Sequence, residues 1–242
     1  MIEIIYTQLR SDIVSVRDYE AVVFDMDGVI FDSERAVMNC WIELARKYGI
    51  ENIMKPYRAC IGTTMQKTKE IMLDTYGADF PYDFYAKEAS CLYHAKYDGG
   101  KLPLKTGIVE LLTYLKKENK KIALASSTRR QVVISQLRDA SILDFFDAVI
   151  CGDMVQRSKP APDIFLKACA EIASSPENTY AIEDSYNGIR AAHAGTLRPI
   201  MVPDLLPENE EMQELSEAVL TNLLDVMDYL KPESALHAQV LS

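Results

Sequence analysis

Thiols, imidazoles and indoles are scarce in this chain of 242 residues, and its cationic side chains are outnumbered by acidic ones. The five cysteines (Cys40, Cys60, Cys91, Cys151 and Cys169) are odd in number, widely spread and form no CxxC pair. That spacing argues against a disulfide framework and a thiolate zinc site, and leaves buried apolar fillers in a reducing compartment. His94, His193 and His237 share no spacing or neighbouring ligand that would make a catalytic or metal centre, so they read as structural. Lys and Arg number 26 against 36 Asp and Glu, and the formal charge of −10 repels nucleic acid and anionic membrane. Neither is an expected partner. A phosphorylated small molecule is repelled as well, so a site for one must carry its own cation or local basic groups. No stretch approaches the ~18 apolar residues of a membrane span. The opening residues interleave Glu3, Arg10, Asp12, Arg17 and Asp18 with apolar ones, and the chain reads as cytoplasmic. Internal repeats and low-complexity segments are not evident.

What is present is an ordinary globular composition, 48% hydrophobic and 26% charged, enough for a core in one large or two unequal domains. The run Glu20-Ala21-Val22-Val23-Phe24 is short, β-branched and aromatic, and it stops at Asp25-Met26-Asp27-Gly28. This predicts a buried strand ending in an acidic turn. Similar runs recur at Lys121–Ala125, Asp147–Ile150, Tyr180–Ile182, Pro199–Val202 and Ala218–Leu220. Helical patterns near Arg129–Arg138, Asp163–Ala173 and Asn187–Ala194 alternate with them, so the fold class is α/β with a doubly wound, Rossmann-like parallel sheet. From about Ala36 to Asp98 the pattern is helical throughout, with blocks at Val37–Tyr48, Met65–Tyr76 and Tyr82–Tyr97. An all-helical second domain over 33–103 is therefore expected as an insertion into a core of 1–32 and 104–242, with hinges near 31–35 and 99–106. The acidic stretch 204–217 reads as a solvated connection, and the tail after Pro232 as poorly ordered.

The chemistry-bearing residues all follow strand ends, where open parallel sheets bind ligands. Asp25 and Asp27 follow the first strand, Ser126 and Ser127 the second, Lys159 the third, and Glu183 and Asp184 the fourth. Up to four converging carboxylates are tolerated only with raised pKa values or a bound cation. All-oxygen ligands point to Mg²⁺, which keeps positions open for water and a phosphate oxygen. Lys159 adds a second positive charge and Ser126 a hydroxyl donor, completing a phosphoryl clamp. One carboxylate after the first strand can attack phosphorus while the other gives a proton to the leaving oxygen.

Asp25-Met26-Asp27-Gly28-Val29, the run ending in Ser126, Lys159-Pro160-Ala161-Pro162-Asp163 and Glu183-Asp184-Ser185, in that order, resemble the four motifs of the haloacid dehalogenase superfamily. The likeness is to its β-phosphoglucomutase-like branch with a helical cap, and it spans nearly the whole chain. The resemblance implies Asp25 as nucleophile and Asp27 as general acid and base. It implies Mg²⁺ held by Asp25, the Asp27 carbonyl and Asp184, with Glu183 a ligand or a partner of one. Ser126, Ser127 and Lys159 would bind the transferring phosphate, and Thr63, Thr64 and Met65 of the cap would face the substrate.

The expected function is Mg²⁺-dependent hydrolysis of small phosphate monoesters, sugar or polyol phosphates, by a monomer or weak homodimer. Sugar phosphomutases of this branch carry a His at the cap hinge and an Arg in the first cap loop, where this chain has Val37 and Met65. A phosphomutase is accordingly the rival enzyme. A non-catalytic phosphometabolite sensor is the rival of another class. Thr63 and Thr64 are also explained by a helix start, and Trp41, with Val37, Leu44 and Ala45 at helical spacing, reads as cap core. Arg129 and Arg130 either tune binding or face solvent. Lys55, Lys67 and Lys69 carry no mark of a Schiff-base lysine.

Overall fold

The computed structural model describes residues 18–63 and 65–232; Thr64 and the tail after Pro232 lie outside the described residues. Among those described, six strands form one sheet: β1 (Ala21–Phe24), β2 (Lys121–Ser126), β3 (Ala148–Cys151), β4 (Thr179–Glu183), β5 (Arg198–Met201) and β6 (Ala218–Val219). Their order is β3-β2-β1-β4-β5-β6 and every pairing is parallel. β1 is central and wholly buried, which is why its residues form a continuous apolar run rather than an alternating one.

Strand periodicity divides the core in two. Val22, Phe24, Ile122, Leu124, Tyr180 and Ile182 face a layer made by the helix Ile108–Lys117 and its neighbours Arg130–Asp139 and Leu223–Tyr229. Ala21, Val23, Ala123, Ala125 and Ala181 face the opposite layer, where the helices Asp163–Glu171 and Tyr186–Ala194 contribute Ile164, Phe165, Ala191 and Ala192. Small strand residues on this side let the helices sit close to the sheet. The acidic stretch read as a solvated connection holds a further helix, Glu210–Leu215. Met212 anchors it against Ile189 and Met201, and the Asn209 side chain accepts from the Met212 N–H at 2.9 Å. A single buried methionine among acids gave too little periodicity to read.

Between β1 and β2 the chain forms α1 (Ser33–Tyr48), α2 (Met54–Cys60), α3 (Met65–Tyr76) and α4 (Tyr82–Tyr97). They close on their own core of Trp41, Leu44, Tyr57, Met72 and Tyr82, with Trp41 stacked on Tyr82 at 6.1 Å between ring centres. The short α2, which carries Pro56, was not anticipated. The two crossings between cap and sheet run side by side: the Asp32 N–H donates to Pro103 at 2.9 Å and the Lys105 N–H to Ile30 at 2.8 Å. No described helix is long and apolar enough to cross a membrane.

Candidate active site

Parallel register brings the site together. Phe24 is paired with both Leu124 and Ile182, so the next residues, Asp25, Ala125 and Glu183, emerge side by side at one edge of the sheet. Lys159 reaches the same point from the loop after β3. Its ammonium donates to Asp25 Oδ1 at 2.5 Å, to Glu183 Oε1 at 2.6 Å and to the Ala125 carbonyl at 3.0 Å. The other oxygen of Glu183 accepts from the N–H groups of Asp184 and Ser185, both at 3.0 Å, and from Ser185 Oγ at 2.9 Å. Glu183 is thus saturated by donors, and only 1% of its side chain is exposed. Asp27 Oδ2 accepts from Thr128 Oγ1 at 3.0 Å, which orients that carboxylate, and among the described residues no donor reaches its second oxygen.

Close approach here depends on two glycines. A Cβ on Gly28, whose φ is +80°, would lie 2.1 Å from Asp184 Oδ2, and one on Gly188 would lie 1.8 Å from the Glu183 carboxyl. Both positions require the smallest residue.

The electrostatics reflect crowded like charges. Burial raises Asp25, with Lys159 opposing and Glu183 and Asp27 adding to the rise. Burial likewise raises Asp184, helped by Glu183, Asp25, Asp204 and Glu34. Burial alone would lower Lys159, but Asp25 and Glu183 more than reverse it. Oxygens of Asp25, Glu183 and Asp184 lie within 4.8 Å of one another, and this cluster could hold a metal ion. Raised carboxylates beside a glycine cradle fit a small hard cation, which would relieve the repulsion. The cavity in front of them has a volume of about 470 Å³.

A family model for haloacid dehalogenase-like hydrolases matches residues 22–202. The chain belongs to the haloacid dehalogenase-like hydrolase family. It is 27% identical to a phosphorylated carbohydrates phosphatase of Thermotoga maritima, over 88% of this chain and 98% of that one. It is 35% identical to the β-phosphoglucomutase of Bacillus subtilis, over 71% of this chain and 78% of that protein. The crystal structure of CbbY from Rhodobacter sphaeroides in complex with phosphate superposes with a TM-score of 0.67 at 27% identity, covering 86% of this chain and 96% of that one.

Of the residues singled out from the sequence, this haloacid dehalogenase-like core brings Asp25, Asp27, Ser127, Lys159, Glu183 and Asp184 to one cavity. Ser126 is fully buried and its Oγ accepts from the Thr128 N–H at 3.1 Å, so of these two serines it is Ser127 that lines the cavity. Thr63 reaches the cavity from the cap, with its hydroxyl donating to the Cys60 carbonyl at 2.7 Å. Met65 is 83% exposed and Val37 36%, and neither lines the cavity. Arg130 is turned to the Val149 carbonyl at 2.9 Å. Sequence reasoning passed over Thr128, Glu34 and Leu205 with Leu206. Thr128 was available as the third hydroxyl in Ser126-Ser127-Thr128, and Glu34 from its place in the predicted hinge. Leu205 and Leu206 carried no sequence signal.

Proposed function

We propose that the protein is a Mg²⁺-dependent phosphatase of small phosphate monoesters, with sugar or polyol phosphates as substrates. The observation that carries this reading is the buried Lys159 ammonium held between Asp25 and Glu183 within a carboxylate cluster. A phosphoryl dianion brought to this point needs positive charge beside the attacking carboxylate, and Lys159 supplies it. The names of two relatives, a phosphorylated carbohydrates phosphatase and an Escherichia coli hexitol phosphatase B, support the substrate class.

Asp25, pinned by Lys159, attacks phosphorus. The bond from phosphorus to the leaving oxygen breaks as Asp27 gives that oxygen a proton, and an aspartyl phosphate remains. Asp27, now ionised and held by Thr128, takes a proton from water, which attacks the same phosphorus and frees Asp25 and inorganic phosphate. Lys159 and Ser127 steady the phosphoryl oxygens. Mg²⁺ would be held by Asp25, Asp184 and the Asp27 carbonyl, and when bound it supplies positive charge against the transferring phosphoryl group. Glu183 acts by fixing Lys159, since both its oxygens are already engaged. The helices within 33–103 act as a closing cap on the core segments 1–32 and 104–242, excluding water from the phosphoryl group.

A phosphomutase is favoured by the identity with the Bacillus enzyme and disfavoured by Val37 and Met65 at the positions where that activity has a His and an Arg. Phosphate release from a panel of monoesters, with and without chelator, tests the reading. Turnover that needs Mg²⁺ and vanishes in Asp25→Asn, with the fold retained, is expected. Turnover indifferent to chelator, or to that substitution, overturns it.

A further inference from the structure

We propose that Glu34 is a specificity-determining residue: it accepts hydroxyl groups of the leaving alcohol and turns away substrates that carry a second phosphate. The inference rests on the phosphatase reading above and adds a residue and a substrate preference to it.

Glu34 sits in the first turn of α1, on the cap side of the hinge, and lines the same cavity as Asp25, Asp27 and Lys159. The backbone there is fixed from within the cap, because Tyr57 donates its hydroxyl to the Glu34 carbonyl at 3.4 Å. Among the described residues no cation is paired with its carboxylate. Arg35 is drawn to Asp32 at 3.3 Å, and Lys105 to Asp204 at 2.7 Å. What surrounds Glu34 is acid: burial, then Asp27, then Asp204 raise its pKa. A half-buried carboxylate beside two others weakens the fold unless donors arrive from elsewhere. Ionised, it only accepts hydrogen bonds. The hydroxyl groups of a polyol are donors of the right kind, and Asp27, which protonates the leaving oxygen, lines the same cavity.

A second phosphate has no such welcome. The cavity's cations are Lys159 and Arg190. Lys159 sits against Asp25 and serves the transferring phosphoryl group, not a second one. Arg190 is fixed in a bidentate pair with Glu211 at 2.6 and 2.5 Å and also donates to Asn187 at 3.2 Å. A second dianion in the leaving group would meet Glu34 and Asp27 without a free positive charge. The apolar part of the wall, Ile61, Leu205 and Leu206, suits a neutral carbon skeleton.

The experiment compares wild type, Glu34→Gln and Glu34→Ala on a hexitol 6-phosphate, p-nitrophenyl phosphate and glucose 1,6-bisphosphate, all with Mg²⁺. Glu34→Ala is expected to lower the ratio of kcat/KM for the hexitol ester over the nitrophenyl ester by about tenfold or more, through KM, as loss of a charged acceptor implies. Glu34→Gln keeps an acceptor oxygen and loses the charge. It should recover part of that ratio and raise relative kcat/KM on the bisphosphate about tenfold. An equal fall on both monoesters, or wild-type turnover of the bisphosphate matching the hexitol ester, overturns the role of Glu34 while leaving the phosphatase reading standing. Wild-type protein inert toward all three removes that reading and this inference together. Melting temperatures of the isosteric Glu34→Gln variant separate a binding role from a folding one.

Discussion

Replacing Lys159 by methionine keeps the aliphatic stem and removes the charge that holds the site together. The exposed fractions are 7% for Lys159, 10% for Asp25 and 1% for Glu183, so the two carboxylates left behind are dry and adjacent. Breaking a buried ionic cluster by removing one partner costs about 3–5 kcal/mol. Protonation of Asp25, which burial already favours, sets the lower end of that range. For a chain of this size each kcal/mol moves the melting temperature by roughly 2–4 °C, so Lys159→Met should melt roughly 6–20 °C below wild type. Mg²⁺ can replace part of the missing charge. At a hundred times its dissociation constant a ligand stabilises by about 2.7 kcal/mol, so the ion should raise the melting temperature of the variant visibly. Turnover should not return, because Asp25 and the phosphoryl oxygens have lost their shared donor. Thermal unfolding with and without Mg²⁺, followed beside phosphate release, measures both quantities. A stability loss under about 1 kcal/mol, or turnover near wild type, would refute the view that Lys159 balances this cluster.

Two further substitutions probe the surroundings. Gly28→Ala puts a methyl group 2.1 Å from Asp184 Oδ2 at a φ of +80° and should weaken Mg²⁺ binding about tenfold or more by calorimetric titration; unchanged affinity would mean Asp184 is not a ligand. At the far end of the sheet Glu217 accepts from Arg198 at 2.6 and 2.5 Å, from Tyr180 at 3.1 Å and from Tyr229 at 3.2 Å. Burial works against its ionisation, but these donors outweigh it and hold Glu217 below the usual carboxylate range. A depressed folded-state pKa contributes stability that is present above the unfolded value of about 4.3 and is lost as pH falls through the folded one. Glu217→Gln should therefore cost about 2 kcal/mol near neutral pH, with the gap from wild type closing in acid; a gap that does not change with pH would show that charge plays no part.

The strands and their ends were legible because both faces of the sheet are covered, leaving runs such as Val22-Val23-Phe24 unbroken by polar residues. Where the first, second and fourth runs stopped, the polar residues that followed include Asp25, Ser127, Glu183 and Asp184 of the cavity wall, and parallel pairing sets Asp25 beside Glu183. Three of the four cap helices were legible from their length, whereas the 7 residues of α2 are too few for a period to show. Three further features were not. The helix Glu210–Leu215 depends on one buried side chain, which leaves no period to detect. Which of Ser126 and Ser127 reaches the cavity is a matter of which side chain points into the strand and which out of the turn, and adjacent identical residues cannot reveal it. Leu205 and Leu206 come to the cavity by tertiary placement alone: Leu206 lies where a Cβ on Gly62 would come within 3.2 Å of it, so cap and core meet there through residues far apart in sequence.

Trp41 is the only tryptophan in the chain, and it is stacked on Tyr82 inside the inserted helices. Its fluorescence therefore samples that unit and not the sheet, whereas the far-ultraviolet circular dichroism of the whole molecule samples both. If the insert melts as a separate cooperative step, the two signals will part company along a denaturant titration, and a native, unlabelled protein will report which half gives way first.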